Sequence, residues 1–232
     1  MLKRSAVRIG VAGFWRRFRH SIGAGGAGRA RKIADSESLG HFLQSRASLV
    51  AQTSLYGYLR TRAGTRFPEL FAHEVFSKSI EEAKWNIWLA CLSDLSVYAG
   101  GLLCRRTKAQ GAEVGRLVAG SVESILAATG TPQGVGADFA RLAEQLRSRL
   151  AACDWAAVED GEKPFVESPS ALVRWAPVLE DLKRLDEEIV RNSVRFRWQE
   201  VRRDFRDSLD AQALLSSARA AAGSLPGGDP QA

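Results

Sequence analysis

Residues 35–215 are predicted to form a single all-α domain, a bundle of about five helices that ends in a long charged C-terminal helix. Three observations carry that reading. Apolar residues return along the chain at steps of three and four, the period of one helical face. No run inside the domain alternates apolar and polar residues as a half-buried strand does, and no internal repeat is visible. Gly, Pro and Ser punctuate the pattern where helices would end or begin.

The first helix is expected from the capping serines Ser36 and Ser38 to about residue 62, with Leu39, Phe42, Leu43, Val50, Leu55, Tyr58 and Leu59 on its stripe and Gly64 beyond its end. Phe67-Pro68 opens a short turn, and a second helix covers about 77–105. Its stretch 85–103 contains no Lys or Arg. Asn86, Ser93, Asp94, Ser96, Gly100 and Gly101 nevertheless share one arc of the wheel, with Trp85, Trp88, Leu92, Leu95, Leu102 and Leu103 on the other. Such one-sidedness predicts an amphipathic helix at the edge of a core, not a membrane span. A third helix over 113–129 presents Leu117, Val118, Val122, Ile125 and Leu126, and Thr131-Pro132-Gln133-Gly134 breaks the chain. A fourth, over 137–153, uses Phe139, Leu142, Leu146 and Leu150. A loop over 154–167 precedes Ser168-Pro169, a cap followed by a first-turn proline.

After Pro177 an amphipathic pattern continues to about Leu215, with Val190, Val194, Trp198, Val201, Phe205 and Leu209 in register. Unbroken, its ~38 residues would reach ~57 Å, more than the ~45 Å diameter of a compact domain of this size. The helix must break, with Asn192-Ser193 the expected place, or project. A projecting end would make Trp198, Val201, Phe205 and Leu209 a partner-binding surface, with Phe205 the exposed anchor. Residues 216–232, rich in Ala, Gly and Pro, are expected to be disordered.

Charge is distributed unevenly. Nine of the 33 Lys/Arg fall in residues 1–32 and no acid precedes Asp35, so the remainder holds 24 bases against 26 acids, a net of −2. Residues 1–34 read as a basic amphipathic arm with a Gly-rich linker. Val7, Val11, Phe14, Phe18 and Ile22 form a narrow apolar stripe flanked by Arg8, Arg17 and Arg19, with Arg16 nearly opposite and Trp15 beside it. A neutral body with a cationic arm suits docking on an anionic partner. Arg8, Phe14, Trp15, Arg16, Arg17, Phe18, Arg19 and Ile22 are therefore the expected membrane- or anion-binding residues. An arginine-rich arm without acids also has the composition of a mitochondrial presequence, and no secretory signal is visible.

Motifs that would signal an enzyme fail on context. Gly23-Ala24-Gly25-Gly26-Ala27-Gly28 spells a dinucleotide fingerprint but lacks the strand before it and the apolar helix after it. His73-Glu74 begins a zinc helix in which Ser77 stands where the second ligand belongs, and the run from Gly120 to Ser124 lacks the final glycine of a nucleophile elbow. The widely spaced Cys91, Cys104 and Cys153 suit reduced thiols. Arg60, Arg62 and Arg66 crowd a helix end among aromatics and form a candidate anion-binding turn. Asp94, beside an apolar face, calls for either a solvent-facing position or an arginine partner, and a functional role for it would need a second acid or histidine nearby. The arginine-rich run 191–206 is interrupted by acids at helical spacing, as on a self-compensated surface.

The sequence thus leads to a non-enzymatic helical interaction, scaffold or assembly-factor-type protein without cofactor or metal. It would be cytoplasmic and held at the inner face of a membrane by its arm, with an unknown protein partner. The alternatives are a nucleic-acid-binding protein using the same arginines on phosphates, an enzyme of unrecognised type, and a mitochondrial matrix protein whose arm is an address label.

Overall fold

The computed structural model describes residues 32–133 and 135–223. The eight arm residues named above, from Arg8 to Ile22, lie outside the described residues, as does the tail from 224. Among the described residues the protein is all-helical, with seven helices of nine residues or more: α1 Ser36–Ala63, α2 Glu74–Thr107, α3 Gly111–Thr129, α4 Gly136–Ala151, α5 Glu167–Trp175, α6 Glu180–Ser208 and α7 Ala211–Gly223.

Local sequence explains most of the ends. Asp35, one residue before the expected serines, caps α1: its carboxylate accepts from the Ser38 N–H at 2.7 Å, and Ser38 Oγ accepts from the Asp35 N–H at 3.2 Å. This reciprocal box satisfies two amides that a helix N-terminus leaves without partners. At the other end Gly64 adopts φ 55°, a conformation cheap only for glycine, and its N–H returns to the Arg60 carbonyl. Phe67, Phe71, Tyr56 and Phe76 then pack ring against ring around the turn.

The second helix departs from expectation. α2 is not at the edge of the core but at its centre, packed by α1, α3, α4, α5 and α7. Asn86, Ser93, Asp94, Ser96, Gly100 and Gly101, the supposed outer arc, are all buried. α2 has the length and composition of a membrane span, and 94% of its most apolar 18-residue stretch is enclosed by the protein itself. The polar arc is covered because other parts of the chain supply matching surfaces. On the apolar arc Trp88 donates to Ser48 Oγ of α1 at 2.9 Å. On the other, the segment between α4 and α5 lays Trp155 over Gly100 and Val158 over Gly101. A Cβ at those glycines would stand 2.2 Å from Trp155 Cζ3 and 2.3 Å from Val158 Cγ1. A Cβ at Gly115 on α3 would likewise stand 2.9 Å from Nε1 of the same indole. The glycines serve close approach, not polarity.

The long C-terminal pattern breaks at Leu209-Asp210, not at Asn192-Ser193. Leu209 turns extended and forms an isolated parallel bridge with Ile33. There the Ile33 N–H donates to the Ser208 carbonyl at 2.9 Å and the Asp210 N–H to the Ile33 carbonyl at 3.1 Å. Asp210 then accepts from the Ala213 N–H at 3.2 Å and starts α7. The 29 residues of α6 come to about 43 Å at 1.5 Å per residue, short enough for the body to bury one whole face. Trp198, Val201, Phe205 and Leu209 are consequently interior, none more than 8% exposed. The projecting partner surface assigned to them does not exist. α7 also carries the chain helically past Leu215, where disorder was expected, to Gly223, with Leu214 and Leu215 buried.

Two outcomes follow from these contacts. A chain beginning at Lys32 should melt well above one beginning at Asp35, because Ile33 is 2% exposed and burying such a side chain contributes about 1.5–3 kcal/mol. Equal melting temperatures would show that the bridge is dispensable. Gly100→Ala should lower stability in urea by about 1–3 kcal/mol through overpacking against Trp155, despite alanine's better helix propensity; a stabilised variant would refute the close-approach reading.

Candidate functional site

Asp94 sits near the middle of α2, completely buried, at the centre of the most elaborate polar arrangement among the described residues. Its Oδ1 accepts from Arg149 Nη1 of α4 at 2.8 Å and from the Glu167 N–H at 3.2 Å. Its Oδ2 accepts from the Ser168 N–H at 2.8 Å and from Ser168 Oγ at 2.6 Å. Trp198 Nε1 of α6 in turn donates to Ser168 Oγ at 2.9 Å. Arg149 also donates to Ser93 Oγ and to the Pro164 carbonyl, and pairs with Glu167 at 3.1 Å.

The physical logic is that of a helix cap supplied from another helix. The N-cap position of α5, Val166, offers no side-chain acceptor, so the first amides of that helix would be left unmatched in the core. Asp94 takes two of them and places a carboxylate against the positive end of the helix dipole. Ser168-Pro169, read from sequence as the cap, instead lies inside the first turn. Of the two settings expected for Asp94, the structure chooses the arginine partner. Burial pushes its carboxyl up from the ordinary value, while Arg149 and the Ser168 donors pull it back. Both oxygens are already engaged by donors, so the group has structural work and no free lone-pair geometry suited to proton transfer.

Elsewhere the chemistry is similarly occupied. A groove of ≈ 620 Å³ lies along α3 and α4, lined by Gly111, Gly115, Arg116, Glu123, Arg147 and Trp155 among others. Arg147 bridges it to Glu123 with a two-pronged contact, Nε to Oε1 at 2.7 Å and Nη2 to Oε2 at 3.0 Å. Among the described residues no group of three or more His, Cys, Asp and Glu could hold a metal ion. Burial pushes the Cys91 thiol well up and the Cys153 thiol up, the opposite of what a reactive cysteine needs.

The predicted anion-binding turn is divided by the fold. Arg62 is committed to Asp186 of α6, which also accepts from the Tyr58 hydroxyl at 2.9 Å, whereas Arg60 and Arg66 are exposed. The arrangement that sequence reasoning missed is on the outside of α6. Leu185, Ile189 and Phe196 are 77%, 72% and 72% exposed. At ~100° per residue they fall within an arc of about 40°, nearly opposite the buried row. The signal was present in the numbering, but the stronger stripe through Trp198 and Phe205 drew the partner assignment to itself.

Replacing Asp94 by Asn puts an N–H₂ group against donors on whichever side it faces. Asp94→Asn should therefore cost about 3–5 kcal/mol of unfolding free energy, as for a broken buried pair. A change below ~1 kcal/mol in urea titrations would show that the network is not holding α5 to α2. Compared with known proteins, the chain matches no family model, no curated protein and no solved structure.

Proposed function

We propose that this is a non-enzymatic helical interaction protein of the scaffold or assembly-factor type, held at an anionic membrane surface by its N-terminal arm. The observation that carries the reading is the charge asymmetry: nine basic residues and no acid before Asp35, against a net of −2 for the rest. Support comes from the body, where the most conspicuous buried acid is tied to structural partners and surface charges largely answer one another in pairs such as Arg147–Glu123, Arg219–Glu113 and Arg46–Asp204. Exposed pairs of this kind add little stability, but they leave the body without a strong field of its own.

The mechanism has two parts. Phe14, Trp15, Phe18 and Ile22 enter at the headgroup level, and Arg8, Arg16, Arg17 and Arg19 pair with lipid phosphates. Each basic residue near such a surface contributes about 1 kcal/mol, and a single apolar face without charge binds weakly. The membrane in question is the inner face bounding the cytoplasm.

Vesicle cosedimentation of the full chain tests this. Binding is expected with vesicles rich in anionic phospholipid, weak or lost with neutral ones, and falling as salt shortens the screening length from ~10 Å at 0.1 M to ~3 Å at 1 M. Phe14→Ala combined with Phe18→Ala should weaken binding even at low salt. Equal affinity for neutral and anionic vesicles would end the proposal, and tight salt-sensitive binding to RNA or DNA with none to lipid would replace it with a nucleic-acid role.

A further inference from the structure

The outer face of α6 has a composition that fits a second copy of the same helix. Leu182, Leu185, Ile189, Asn192 and Phe196 step by 3, 4, 3 and 4, the spacing of a coiled-coil seam. Leu182 is half-buried, and the other four are exposed. This seam is separate from the row Val190, Val194, Trp198, Val201 and Phe205, which belongs to the core. The helix is therefore apolar on two faces, of which the body covers one. A single exposed leucine needs no explanation; three large apolar side chains aligned on one exposed arc do.

We infer that α6 pairs in parallel with α6 of a second copy of this chain through Leu185, Ile189 and Phe196. The flanking charges select this occupant. Arg195 and Glu200 lie on opposite sides of the seam, and neither makes an ion pair among the described residues; Arg195 only donates to Asn192 Oδ1 at 3.1 Å. In a parallel two-stranded pairing a residue flanking one edge of the seam meets the residue five further along the partner's other edge. Arg195 of each copy then meets Glu200 of its mate, giving two symmetric pairs. Each apolar side chain meets its own counterpart, and the Asn192 amides face one another. In the antiparallel alternative Asn192 would be set against Ile189, which leaves its amide unmatched. A two-fold axis along the seam makes the interface self-complementary, as closed dimers require.

A lipid surface fits this face less well. Asp181, Glu188 and Glu200 flank the stripe, with Arg195 at its edge and Arg203 continuing its line beyond Phe196, and those acids would be repelled by anionic headgroups. Mixed signs match a partner that carries the same mixture. Three apolar residues per copy make a short seam, so the pairing is reversible and concentration-dependent, at the small end of specific interfaces.

The inference rests on reading the protein as an interaction module but not on its arm, so it is tested without lipid and survives a failed vesicle experiment. In sedimentation equilibrium the full chain should move with rising concentration from one chain mass, 25.3 kDa, towards twice that value. Phe196→Glu should stay at one chain mass with an unchanged melting curve, since the residue is exposed. Arg195→Glu should weaken self-association about fivefold, the size expected for losing two exposed ion pairs, and Arg195→Glu with Glu200→Arg should restore it. Asn192→Cys should link two chains through position 192 under mild oxidation. A chain that remains single at its highest soluble concentration overturns the inference, as does self-association that Phe196→Glu leaves untouched. Vesicle binding by a monomeric chain that depends on Phe196 also overturns it and assigns the face to lipid.

Discussion

A long helix whose central stretch, residues 86–104, is enclosed by its neighbours sets the terms for everything around it. α2 carries Asp94 near its centre, and a lone carboxylate in that position would be prohibitively costly to desolvate. The fold meets the cost with donors drawn from three places: Arg149 on α4, the first amides of α5, and the Ser168 hydroxyl, itself fixed by Trp198 on α6. One side chain therefore registers α2, α4, α5 and α6 against each other. Removing an apolar contact would loosen one pair of helices, whereas disturbing Asp94 affects all four.

The same enclosure explains the glycines. A central helix with a full set of side chains could not admit the bulky segment that connects α4 and α5. Gly100 and Gly101 give that segment a floor on which Trp155 and Val158 rest. The Tyr98 hydroxyl, on the same helix, donates to Asp160 at 2.8 Å, and Arg206 of α6 reaches the same carboxylate at 3.1 Å. A connection that looks like an ordinary surface loop is thus pinned by an indole, a valine and a shared acid. Its position in turn fixes where α5 begins, which is where Asp94 needs its donors.

α6 shows how a single element can be settled on one side and unsettled on the other. Its inner row is bound into the core through Trp198, which packs at a tilt against Phe165 with ring centroids 4.7 Å apart, and through Phe205 against Phe42 at 5.1 Å. Asp186 adds a polar tie to Arg62 and Tyr58. None of these contacts uses the arc of Leu185, Ile189 and Phe196, so the stability of the body does not account for that arc.

The sequence by itself determined the helical character of the chain and the approximate limits of its first four long helices. Those depend on local terms: the 3.6-residue period of apolar residues, the break at Gly64, and the turn residues near 131–134. It also determined the charge asymmetry, which is a matter of composition. Tertiary structure decided the rest, because each missed feature joins residues far apart in the chain. The polar arc of α2 reads as solvent-facing until Arg149, Glu167 and Trp155, some 55 to 73 positions away for the first two, cover it. The break in the C-terminal pattern lies at Leu209 because Ile33 pairs there, 176 residues earlier. Which of two apolar stripes on α6 faces inward is equally beyond periodicity, since a wheel gives the angle between the stripes and not the direction of the core. Only the packed neighbours supply that direction.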